Sequence, residues 1–126
     1  MRSAQTPLHK VEGMGASHSG TGHFWRERVS AAALALLSLW FLYVMLGLSG
    51  TSEVTALQFL AHPWNALLMA GFVTISLYHM RLGLQVVIDD YIHSAGTRLL
   101  LTLLILAAVL ATGGISLFAI IRIAAL

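Results

Sequence analysis

Hydrophobic residues along this chain are gathered into three long runs, which cover residues 29–48, 64–88 and 99–121. A helix needs about 20 apolar residues to cross the hydrocarbon core of a bilayer, which is about 30 Å thick. Each run reaches that length, and in lipid a helix satisfies its own backbone hydrogen bonds. The pattern therefore predicts an all-α integral membrane protein with three transmembrane helices.

The rest of the chain is short and polar. Residues 1–22 are rich in Gly, Ser, Thr and His and contain few apolar side chains. Such a composition buries too little apolar surface to fold alone, so we expect a flexible cytoplasmic tail at 1–22 and a three-helix transmembrane domain at 23–126. The whole chain is 58% hydrophobic and only 10% charged, which leaves no segment suited to a second, soluble domain.

The few cations predict the orientation of the helices. Four of them precede the first run: Arg2, Lys10, Arg26 and Arg28. The connection at residues 51–62 contains Glu53 but no Lys or Arg, whereas Arg81 and Arg98 flank the next connection. Because Lys and Arg are retained on the cytoplasmic side, we predict that the N-terminus and the Asp89–Tyr91 region are cytoplasmic.

Composition also limits the chemistry of the chain. Its net charge of +2 comes from few residues in a mostly lipid-immersed protein, so it gives no indication of nucleic-acid binding. With no cysteine, the chain can form neither a disulfide nor a thiolate-ligated iron–sulfur cluster. Any redox centre must therefore use another ligand.

His79 is the strongest candidate for that ligand because it lies inside the second run, where an ionisable side chain is costly and usually functional. On one helix, His79, Gly83, Val86 and Asp90 form a stripe. Neutral imidazole is a standard axial ligand of haem iron, and a flat cofactor can approach the backbone at Gly83. The alternative is a histidine that is simply hydrogen-bonded to a neighbouring helix.

A low-spin haem takes two axial ligands, and the chain offers no second histidine at the right depth. His62 precedes His79 by 17 residues, or about 25 Å along a continuous helix. His93 lies beyond Asp90 at the interface. If His79 ligates a haem in this way, the second ligand comes from another polypeptide or from another copy of this chain.

Two further groups of residues lie at the predicted cytoplasmic interface. Arg28, near Phe24 and Trp25, is either part of an aromatic belt with snorkelling cations or a partner for an anion such as a haem propionate. Asp90 and Tyr91 are either a solvated helix end or part of a quinone site. In the second case the Tyr91 hydroxyl donates to a quinone carbonyl and a carboxylate helps to supply the protons that reduction consumes.

Small residues recur in the third run at Ala107, Ala111 and Gly114, next to Gly113. This spacing forms a seam along one helix face, where small side chains allow helices to approach closely in lipid. We interpret the third run as a packing helix.

These features together resemble the small hydrophobic membrane-anchor subunits of succinate dehydrogenase (succinate:quinone oxidoreductase, respiratory complex II). The resemblance covers nearly the whole chain. It depends on three spans, an arginine before the first of them, and the pattern His79-x3-Gly83-x6-Asp90-Tyr91 on the second.

The resemblance implies a non-catalytic chain of an enzyme complex that passes electrons from succinate, in the tricarboxylic acid cycle, to ubiquinone in the respiratory chain. Its partners would be a flavoprotein, an iron–sulfur subunit and a second membrane anchor, the cytochrome b subunit, packed with it around a haem. The location implied is the bacterial inner membrane or the mitochondrial inner membrane, with the N-terminus in the cytoplasm or matrix.

The resemblance also implies roles for individual residues. His79 would be an axial ligand of a b-type haem whose opposite ligand lies on the sister anchor. Arg28 would lie near the propionates, Tyr91 would hydrogen-bond ubiquinone beside the iron–sulfur subunit, and Asp90 would lie close to that site.

Two other functions compete with this one. A haem-free structural anchor of a peripheral enzyme complex would tolerate glutamine at position 79 and lack a b-type absorption band. A transporter or channel would need polar residues on several spans, whereas the first and third runs here are nearly devoid of them.

Overall fold

The computed structural model describes residues 20–125, and this part of the chain contains helices and no strand. The helices are α1 (Gly20–Leu48), α2 (Glu53–Ala61), α3 (Pro63–Tyr91) and α4 (Ala95–Ala124). The predicted all-α class is therefore confirmed. Residues 1–19 of the predicted tail lie outside the described residues. The last three residues of that tail, 20–22, belong to helix α1.

Three of the helices are long and apolar enough to cross a membrane, over Thr21–Leu48, Pro63–Tyr91 and Ala95–Ala124. The three predicted spans are thus confirmed, but each helix is longer than its apolar run. Helix α4 has 30 residues, or about 45 Å at 1.5 Å per residue, against a hydrocarbon core of about 30 Å. The additional turns carry polar side chains, which suit the headgroup region while the backbone remains hydrogen-bonded.

Helix α2 was not predicted from the sequence. Ser52 caps its N-terminus, where the Ser52 hydroxyl accepts a hydrogen bond from the Thr55 backbone N–H at 3.2 Å. The Asn65 side-chain amide donates to the Phe59 carbonyl at 2.8 Å and so ties α2 to the start of α3. A serine followed by an acidic residue and then apolar residues is a helix-start signal that could have revealed this element.

Helix α3 lies at the centre of the fold, with α1 on one side and α4 on another. The rings of Phe41 on α1 and Phe72 on α3 stack with centroids 4.6 Å apart. A Cβ atom added at Gly113 of α4 would lie 3.3 Å from the Leu77 Cδ1 atom of α3, so the glycine permits close approach there. Few side chains in the described part of the chain are buried, because lipid can cover apolar surface in a membrane protein.

The small-residue seam of α4 does not form the contact with α3. Ala107, Ala111 and Gly114 are all exposed, whereas Gly113, one position away, faces Leu77. Within this chain, α4 therefore packs against α3 through its Gly113 side and not through the predicted seam.

Reporter fusions offer a direct test of topology. Thr51 and Ser94 are exposed and lie at different ends of the α3 region, so fusions at these two positions should report opposite sides of the membrane. The Lys/Arg distribution further predicts that Ser94 is on the cytoplasmic side, because Arg98 lies beside it. The Arg98 guanidinium also closes that turn through hydrogen bonds to the Ile92 carbonyl at 3.0 and 3.3 Å. Reports from one side at both positions would contradict three spans.

Candidate functional site

A hydrogen bond between α1 and α3 holds the imidazole of His79. The Ser30 hydroxyl oxygen lies 2.9 Å from His79 Nδ1. Ser30 is among the most buried residues described, with 6% of its surface exposed. The interaction joins residues 49 positions apart in sequence, so only the packing of α1 against α3 creates it.

The partners of Ser30 indicate which nitrogen of His79 carries the proton. The same hydroxyl lies 3.0 Å from the Glu27 carbonyl oxygen, which accepts but cannot donate. Because a serine hydroxyl has one proton, donation to Glu27 leaves its oxygen as the acceptor for the His79 Nδ1–H. This pair of contacts favours the tautomer with the proton on Nδ1, in which the lone pair of Nε2 is available.

The surface along the His79 stripe is open. Gly83, one turn after His79, is exposed, and a Cβ atom built on it would meet no atom within 4 Å. Val86 is half-buried and Asp90 is exposed. A flat group could therefore approach the α3 backbone at Gly83 without displacing another part of the chain.

The residues present fit a haem held jointly with another polypeptide. No group of three or more His, Cys, Asp or Glu side chains that could hold a metal ion occurs within the described residues. A single imidazole with an available Nε2 is what one half of a two-ligand haem site requires. His62 and His93 are exposed beyond opposite ends of α3, which agrees with the sequence-based conclusion that neither supplies the second ligand.

The acidic and aromatic residues at the end of α3 differ in their contacts. Asp89 accepts a hydrogen bond from the Gln85 side-chain amide at 3.1 Å. Asp90 is exposed, and Tyr91, the last residue of α3, exposes 75% of its surface. No hydrogen bond joins the Tyr91 hydroxyl to another residue in the described part of the chain, so this hydroxyl is accessible to a ligand.

Arg28 is not brought to His79 by the fold of this chain. Its guanidinium lies 5.1 Å from the centroid of the Phe24 ring, a cation–π arrangement. Arg28 is two residues before Ser30, roughly 200° around α1, so it projects away from the α3 interface. Of the two neighbouring arginines, Arg26 is the one that lines the grooves beside α3.

Ser30 is the site residue that sequence reasoning missed. A serine in an apolar helix commonly bonds a carbonyl of its own helix, as Ser76 does with the Phe72 carbonyl at 2.6 Å. Nothing in the local sequence distinguishes Ser30 from Ser76. Its position near the N-terminal end of α1, at the depth of His79 in the antiparallel α3, was the available signal.

Sequence comparison identifies the family. Residues 2–115 match the family model described as the succinate dehydrogenase/fumarate reductase transmembrane subunit. The chain belongs to this family. The matched segment contains all four described helices except the end of α4, and it includes His79, Asp90 and Tyr91.

Individual relatives agree with this assignment. The succinate dehydrogenase hydrophobic membrane anchor subunit of Paracoccus denitrificans is 39% identical over 93 residues, covering 74% of this chain and 71% of that protein. The corresponding subunit of Rickettsia typhi is 37% identical over 84 residues, 67% of each chain. The succinate dehydrogenase membrane anchor subunit of Reclinomonas americana is 34% identical over 90 residues, 69% of this chain and 75% of its own. No solved structure matches the chain.

This anchor subunit is therefore a multi-pass membrane protein of the succinate dehydrogenase complex. The resemblance inferred from the His79 and Asp90-Tyr91 pattern is confirmed at the level of the family. Membership implies partner subunits of the complex, since an anchor subunit is one part of a larger assembly.

Proposed function

We propose that this anchor subunit ligates a b-type haem through His79 Nε2 and forms part of a ubiquinone site with Tyr91 and Asp90. In this role it accepts electrons that a flavoprotein and an iron–sulfur subunit obtain from succinate. A histidine of a sister anchor subunit would supply the other iron ligand. No catalytic residue for succinate oxidation is assigned to this chain.

The observation that carries the haem proposal is the hydrogen bond between Ser30 and His79. By accepting from Nδ1–H, Ser30 holds the imidazole in the tautomer whose Nε2 can bind iron, and it restricts rotation of the ring. When bound, the haem supplies reversible one-electron chemistry. Gly83 leaves room for its edge. Arg28 is proposed to pair with a propionate, which requires its exposed guanidinium to leave the Phe24 ring and turn towards the haem surface.

The quinone proposal is supported by the position of Tyr91. The residue ends α3 at the predicted cytoplasmic interface, where a ring arriving from lipid can meet water and a peripheral electron donor. The Tyr91 hydroxyl would donate to one quinone carbonyl. Reduction of the quinone to quinol takes up two electrons and two protons, and the exposed Asp90 carboxylate would help to pass those protons from water.

Replacement of Ser30 tests the haem proposal through the ligand itself. In Ser30→Ala the Nδ1–H loses its acceptor, which makes the imidazole a weaker donor to iron and frees its rotation. We expect haem binding to weaken by about tenfold, since loss of such supporting hydrogen bonds typically costs 10–100-fold in metal affinity. The reduction potential of the remaining haem should rise, because a less basic ligand stabilises ferric iron less.

Ser30→Thr retains a hydroxyl and should preserve the spectrum and potential of the haem. Ser76→Ala is the matched control, since it removes a hydroxyl that contacts only its own helix. The measurements are haem content, optical spectrum and potentiometric titration of the assembled complex. Equal results for Ser30→Ala and Ser76→Ala would show that Ser30 does not support an iron ligand.

A further inference from the structure

A polar groove lies among α1, α3 and α4 on a side of α3 that is separate from the His79 stripe. Its volume is about 310 Å³, and its side chains include His23, Arg26, Tyr78, Arg81, Gln85 and Thr102. Arg81 follows His79 by two residues, or roughly 200° around the helix. The groove is therefore distinct from the surface proposed for the haem.

The charge of the polar groove favours an anion. Arg26 and Arg81 bring two guanidinium groups from different helices, and no carboxylate is among the described residues that line it. One N–H of Arg26 is already used, because its Nε donates to the Gly22 carbonyl at 3.1 Å. Gln85, which also lines the groove, donates its side-chain amide to Asp89 at 3.1 Å.

The depth of the polar groove matches that of lipid phosphates. Arg81 lies 18 residues after Pro63, or about 27 Å along α3, so it reaches the interface opposite Trp64 across a core of about 30 Å. Arg26 lies in the second turn of α1, on the same side of the membrane. Cations at this level meet the headgroups of anionic lipids.

An apolar furrow of about 410 Å³ continues from the polar groove between α3 and α4. The two share Tyr78 and Arg81, and the furrow then extends past Leu77, Leu110 and Gly114 towards the membrane interior. A Cβ atom at Gly114 would meet no atom within 4 Å, so the furrow is open beside this glycine. Its walls present almost only carbon to an occupant.

We propose that the polar groove and the furrow together form a binding site for one anionic phospholipid. Arg26 and Arg81 hold the phosphate, and one acyl chain lies in the furrow beside Gly114. A free phosphate ion would use only the polar part, whereas a phospholipid has both a charged group and a chain for the two connected parts. The proposal does not depend on haem ligation by His79.

The test uses the complete purified complex after removal of lipid by detergent exchange, with phosphatidylglycerol added back. Binding is followed by native mass spectrometry and by the midpoint of thermal unfolding. We expect phosphatidylglycerol to raise this midpoint for the unaltered complex. Inorganic phosphate and a diacylglycerol with the same chains should leave it unchanged, because each lacks half of the ligand.

Arg26→Gln and Arg81→Gln should each weaken phosphatidylglycerol binding by about fivefold, the effect of one cation near a lipid surface. Arg122→Gln is the matched control, because Arg122 is exposed in the last turn of α4, away from this groove. Gly114→Leu should also weaken binding by filling the furrow, while Ala111→Leu, at an exposed position outside it, should not.

Three results would overturn the proposal. Equal phosphatidylglycerol binding by Arg81→Gln and Arg122→Gln would mean that only bulk lipid contacts the groove. A full stabilising effect of inorganic phosphate would identify a free-anion site instead. Loss of a partner subunit from the Arg26→Gln or Arg81→Gln complex during purification would identify the groove as a subunit interface.

Discussion

Replacing His79 with glutamine should remove the b-type haem band from the assembled complex or alter it strongly. Glutamine can still accept and donate hydrogen bonds near Ser30, but it has no imidazole nitrogen for iron. The expected change is large because one of two axial ligands is lost outright, whereas loss of Ser30 only weakens that ligand. The measurements are the reduced-minus-oxidised optical spectrum and the paramagnetic resonance spectrum of the purified complex.

His62→Gln provides a matched control, since His62 is exposed at the junction of α2 and α3, at the other end of the same helix. It should leave both spectra unchanged. If His79→Gln also leaves them unchanged, or if the unaltered complex has no b-type band, the protein is a haem-free structural anchor. Quinone reduction by His79→Gln does not decide the matter, because electrons could pass to quinone directly from the proposed iron–sulfur subunit.

Tyr91→Phe should lower succinate:quinone reductase activity by several-fold while leaving succinate oxidation with an artificial acceptor unchanged. The substitution keeps the aromatic ring and removes only the hydroxyl that is proposed to donate to the quinone carbonyl. One such hydrogen bond contributes about 0.5–1.5 kcal/mol net, or roughly two- to twelvefold, and more if a buried carbonyl is left unpaired. An acceptor that takes electrons upstream of quinone does not depend on this bond.

The control for this experiment is Tyr43→Phe. Tyr43 on α1 exposes 77% of its surface, nearly the same as Tyr91 at 75%, and lies near the opposite end of the membrane span. Its loss of a hydroxyl should not change turnover. If Tyr91→Phe behaves like Tyr43→Phe in quinone turnover and in inhibitor affinity, the quinone site lies elsewhere and Tyr91 is an interfacial anchor.

The spans could be predicted from the sequence because the bilayer imposes a length and a composition that are visible in one dimension. The apolar run at residues 64–88 lies inside α3 (Pro63–Tyr91), and Pro63 is at the helix start as its missing N–H requires. The residues at which the helices begin and end were harder to predict. Polar side chains are accepted in the headgroup region, so hydropathy does not mark the helix ends there. Helix α2 was missed for a different reason. Its nine residues are too few to span a membrane, so a search for long apolar runs does not find it.

The sequence by itself determined the three membrane helices, their family pattern and the selection of His79 as a candidate ligand. These follow from the unfavourable free energy of placing polar groups in hydrocarbon, which constrains the sequence of each helix separately. Only the tertiary structure decided that Ser30 lies 2.9 Å from His79 Nδ1, that Arg28 projects away from α3, and that Arg26 and Arg81 share one groove. Those relations join residues on different helices, and the angle and register at which helices pack depend on side chains distant in sequence, such as Gly113 against Leu77.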